Sequence, residues 1–173
     1  SDAAALLKTA KKPLIIAGGG MRYSKAEEAV AKFAAERGIP VVETIAGKGG
    51  LTHYHPVHAG PIGIIGSTSA NALAAEADVI LAIGTRLQDF TTGSWTAFSR
   101  DARFISNNAA RFDALKRRAL AVVGDALEGS RPVVAGRAIV LQDLAHGEEA
   151  LVGFLGAGGK GKTQEQQQAG RKS

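Results

Sequence analysis

The chain of 173 residues has no cysteine, one methionine, one tryptophan, two tyrosines and six phenylalanines. The lack of cysteine excludes disulfides and thiolate metal sites, and fits a reducing compartment such as the cytoplasm. With so few aromatics, the core must be built from Ala, Val, Ile and Leu, and the 22 glycines allow close backbone approach. No apolar run is long enough to cross a bilayer, and Ser1 to Leu7 lacks the basic-then-apolar order of a signal peptide. Neither a G-x-S-x-G elbow nor an H-E-x-x-H helix is present. His53, His55 and His58 fall in a Gly/Pro-interrupted stretch rather than on a helix, and read as loop or interface groups instead of metal ligands. Glu43, Asp89 and Asp125 remain as acids whose meeting with these histidines the sequence does not establish.

What is present suits one domain with an appendage: 45% of the residues are hydrophobic, enough for a sizeable core. The formal charge is +5, and much of it arises between Arg100 and Arg118. Phe104 and Phe112 are the only aromatic residues there and do not make the interleaving that stacks bases, so the cluster reads as a solvated edge or a face towards another domain, not a nucleic-acid surface.

Short apolar runs alternate with helical patterns. Pro13-Leu14-Ile15-Ile16-Ala17 lacks polar alternation and suits a strand buried on both faces. Ser24, followed three residues later by Glu27, predicts a capping box for a helix ending near Arg37-Gly38. A second strand is expected at 39–43, completing a parallel crossover. Ala46 to Gly63 reads as a long loop with a helical turn. Gly66-Ser67-Thr68 opens another helix, and strands are expected at 79–84, 103–106 and 121–124. The expected fold is α/β: a three-layer, Rossmann-like open parallel sheet with helices on both faces.

The expected domain covers residues 1–128. Gly129-Ser130-Arg131-Pro132 interrupts the closing helix, so 129–173 reads as a divergent extension, with an extra strand at 133–141, a short helix at 146–155 and a mobile tail. Gly156 to Thr163 formally matches G-x-x-x-x-G-K-T. No sustained helix or later strand with a magnesium-side aspartate follows, so a chance match in the tail is the preferred reading over a phosphate loop.

Three segments fall at the carboxyl ends of expected strands, where open α/β sheets collect ligands. Gly18-Gly19-Gly20 precedes a helix and either admits a phosphate or permits a tight turn; Tyr23 stands where the last glycine of G-x-G-x-x-G would be. Thr85-Arg86 offers a phosphate partner, unless Arg86 pairs with Asp89. Asn107 and Asn108 offer hydrogen bonds to a ribose or base, unless they satisfy their own turn.

The runs 13–20, 38–44 and 46–49, together with 77–87 and Val122-Val123-Gly124-Asp125-Ala126, resemble the central domain of thiamine-diphosphate-dependent enzymes of the acetolactate synthase type. Residues 88–95 and His55-Pro56 are similar to family members that hydrolyse a carbon–carbon bond of a cyclic 1,2-dione in myo-inositol catabolism. The likeness covers roughly residues 10 to 128.

The resemblance implies a middle domain between two others that hold thiamine diphosphate and Mg2+. One brings the activating glutamate, the other a G-D-G motif with a downstream Asn. Gly124-Asp125-Ala126 departs from that motif and no suitable Asn follows, so the isolated chain is expected to be inactive and to lack this cofactor. Its expected partners are the other domains of a homo-oligomeric parent. Family members hold FAD, ADP or nothing in the middle domain. On that likeness Gly18, Gly19, Gly20, Thr85, Arg86 and Asn107 line a nucleotide groove, real or vestigial. The alternative is a free-standing module for FAD, ADP or NAD.

Overall fold

The computed structural model describes residues 2–128. The chain divides into compact units 1–139 and 140–173, and the described residues all fall in the first. The boundary expected near Gly129, the strand and helix expected beyond it and the G-x-x-x-x-G-K-T match lie outside the described residues.

Six parallel strands form one sheet: β1 (Pro13–Ala17), β2 (Val41–Glu43), β3 (His58–Pro61), β4 (Val79–Ile83), β5 (Arg103–Asn108) and β6 (Leu120–Val123). Their order is β3-β2-β1-β4-β5-β6, the doubly wound Rossmann-like order expected from the sequence. The apolar runs behave as their lack of alternation requires, with every residue of β4 and four of the five in β1 buried. Fully burying each Ile, Leu or Val contributes about 1.5–3 kcal/mol.

Helices α1 (Asp2–Lys8), α2 (Gly19–Tyr23), α3 (Glu27–Arg37), α4 (Thr68–Glu76), α5 (Asp89–Thr92) and α6 (Arg111–Ala114) complete the described elements, with 3-10 turns at Ile45–Gly47 and Lys116–Arg118. Val30, Phe33 and Ala34 of α3 pack with Ile15, Val41 and Leu81 on one face of the sheet. Ala70 and Ala74 of α4 pack with Leu14, Ile16 and Ile80 on the other. Strand alternation thus sends successive residues of β1 into different cores.

Gly38 ends α3 in the left-handed region (φ 61°), as the sequence predicts, and at the start of the helix expected after Gly66 the Ser67 hydroxyl accepts the Ala70 N–H to cap α4. Two expectations are corrected. The Ser24–Glu27 capping box does not form: Ala26 is the N-cap of α3, without a side-chain bond, and Ser24 instead closes α2. The loop expected at 46–63 contains the edge strand β3, which pairs with β2 across a register shift at Val41/Val42.

Candidate functional site

The strand order reverses between β1 and β4, and the expected site residues gather at the carboxyl ends of these strands and of β5. Gly18 is the extended N-cap of α2, and its N–H donates to Ile83 O at 2.8 Å. The Gly20 N–H donates to Gly84 O at 2.9 Å. A Cβ at Gly18 would lie 2.3 Å from Gly84 O, one at Gly20 2.7 Å from Gly84 Cα, and one at Gly84 2.5 Å from Met21 N. Missing side chains here bring two backbone turns together, and neighbouring carbonyls engage two of the N–H groups that a phosphate would use. Gly19 faces the 3-10 turn instead, its Cβ position 3.2 Å from the Ala46 methyl.

Thr85 is 7% exposed. Its hydroxyl accepts the Leu87 N–H at 3.3 Å and its carbonyl accepts Asn108 Nδ2 at 2.9 Å. Arg86 is exposed, and its carbonyl accepts Lys116 Nζ at 2.7 Å. Lys116 also pairs with Asp113 at 2.8 Å, whereas no Arg86–Asp89 ion pair forms. Asn107 is 1% exposed and donates Nδ2 to Val122 O at 3.1 Å and Gly124 O at 3.4 Å. Its Oδ1 is buried without a hydrogen-bond partner, as is Ser106 Oγ. The expected residues therefore divide: Gly18, Gly20 and Thr85 interlock with Gly84, Asn107 binds the end of β6, and Arg86 points to solvent.

Of the acids and histidines left unplaced by sequence, Glu43 and His58 meet. The Glu43 carboxylate is buried, accepts N–H groups from Leu51 (2.9 Å) and Gly49 (3.2 Å), and lies 3.2 Å from His58 Nε2. The His53 ring stacks edge-on against His58 at 6.0 Å. A single acid ending an apolar strand is the only signal that marks Glu43 in the sequence. Asp125 bonds to Ser24, and the Ser24 hydroxyl followed by the Leu127 N–H holds its carboxyl below the usual carboxylate range. Among the described residues no group of three or more His, Cys, Asp or Glu is placed to hold a metal ion. No helix among them is long and apolar enough to cross a membrane.

Residues 1–131 match the family model described as "Thiamine pyrophosphate enzyme, central domain". The chain belongs to this family. Its central domain is also similar to the 3D-(3,5/4)-trihydroxycyclohexane-1,2-dione hydrolase of Geobacillus thermodenitrificans, 46% identical over 128 residues, covering 74% of this chain and 20% of the relative. The hydrolase of the same name from Clostridium perfringens (strain ATCC 13124) is 43% identical over 126 residues, 72% of this chain and 20% of that protein. One from Bacillus cereus (strain AH820) is 43% identical over 129 residues, with 74% and 20% covered. The chain thus spans about a fifth of the length of the relatives it matches.

Thiamine diphosphate, the cofactor that gives the family its name, does not fit the described residues of this central domain. Asp125 is engaged by Ser24 and the Leu127 N–H, and among the described residues no group of three or more His, Cys, Asp or Glu could hold the accompanying metal ion.

Proposed function

We propose that the chain is the structural middle domain of a thiamine-dependent carbon–carbon bond hydrolase acting on a cyclic 1,2-dione in inositol catabolism. The 46% identity to a hydrolase of that specificity, over 128 residues, carries the reading. The cofactor chemistry belongs to other domains of the parent, and this one organises its neighbours and the oligomer. The interlocked glycines support that role, because the crevice at the strand-order reversal is packed with backbone. The domain extends over residues 1–128. The isolated chain, given thiamine diphosphate, Mg2+ and the dione, is expected to leave the substrate intact. Turnover comparable with a complete enzyme overturns the reading.

A second reading, a groove for FAD, ADP or NAD, is favoured by the Oδ1 of Asn107 and the exposed guanidinium of Arg86, neither of which has a hydrogen-bond partner among the described residues. In it Gly18, Gly19, Gly20, Thr85, Arg86 and Asn107 line the groove. Calorimetric titration with the three nucleotides tests it, and no heat from any of them removes it.

A further inference from the structure

We draw no further inference here: the strongest candidate, the apolar sheet edge formed by β6 with Val123 51% exposed, pairs with β5 alone among the described residues, and nothing in the structure shows what covers it.

Discussion

The Ser24 hydroxyl donates to the Asp125 carboxylate at 2.5 Å, joining the end of α2 to the residue after Gly124 across 101 positions of sequence. The Ser24 oxygen also accepts the Ala126 N–H at 3.3 Å, and Asp125 accepts the Leu127 N–H at 2.9 Å, so the pair caps the helical turn at 126–128. The short bond to a charged acceptor explains the lowered pKa of Asp125. A carboxyl depressed in the folded state adds stability that is complete above its unfolded pKa and disappears as pH falls through the folded one. Thermal midpoints are therefore expected to fall from neutral pH into the acid carboxylate range, and to fall less in Asp125→Asn. Ser24→Ala should lower the midpoint at pH 7 and add little to Asp125→Asn in the double variant. Additive effects would show that the two side chains act separately.

The glycines at the strand-order reversal make a sharper prediction. Gly84 has φ +60°, and its Cβ position meets Met21 N at 2.5 Å, so Gly84→Ala combines left-handed strain with a backbone collision. Its expected cost is about 2–4 kcal/mol, and Gly18→Ala, with overpacking against Gly84 O, should cost about 1–3 kcal/mol. Gly49→Ala is the control: its φ is +81° but nothing lies within 4 Å, so only backbone strain of about 1 kcal/mol applies. Chemical denaturation of the three variants measures the order, and equal losses would refute the interlock.

Much of this architecture is legible in the sequence, for a physical reason. Leu14-Ile15-Ile16-Ala17 and Val79–Ile83 have no polar residues because both faces of each strand are covered, and that absence is visible directly. β3 is His58-Ala59-Gly60-Pro61, an edge strand with mostly half-buried side chains, and it forms through backbone pairing to β2 alone. Its composition is that of a turn, so no local pattern reveals it. Ser24 misleads in the opposite way: its spacing to Glu27 fits a capping box, but its partner lies at Asp125. The glycine run is visible as a site of close approach. That Gly84 approaches it depends on the order of the strands in the sheet.

Glu43 tests how far a buried carboxylate organises the loop between β2 and β3. It accepts the Gly49 and Leu51 N–H groups and faces His58, with 4% of its surface exposed. Glu43→Gln keeps the shape and one carbonyl acceptor, and is expected to cost about 1–2 kcal/mol through loss of charge-assisted bonds. Glu43→Ala leaves the Leu51 N–H without its acceptor and should cost about 2–4 kcal/mol. Amide hydrogen exchange at Gly49 and Leu51 should accelerate in Glu43→Ala before global unfolding does. Unchanged exchange at both amides would mean that the carboxylate does not hold the loop.

Trp95 is the only tryptophan, which makes its surroundings directly observable. Its ring packs edge-on to Phe104 at 5.8 Å and lies near Phe98 at 6.2 Å, while the Arg117 guanidinium sits over it at 4.8 Å. Trp95 at φ 69° and Arg117 at φ 55° both adopt the left-handed conformation, so two strained turns meet at this contact. The cation–π attraction is exposed on the Arg117 side and contributes about 0.5–1 kcal/mol. Arg117→Ala should lower stability by about that amount and shift tryptophan emission to the red as water reaches the ring. Arg117→Lys should recover only part of the loss, because an ammonium lacks the planar face that stacks on the indole. Full recovery with lysine would reduce the contact to a point charge near a ring, and unchanged emission in both variants would show that Arg117 does not cover Trp95 in solution.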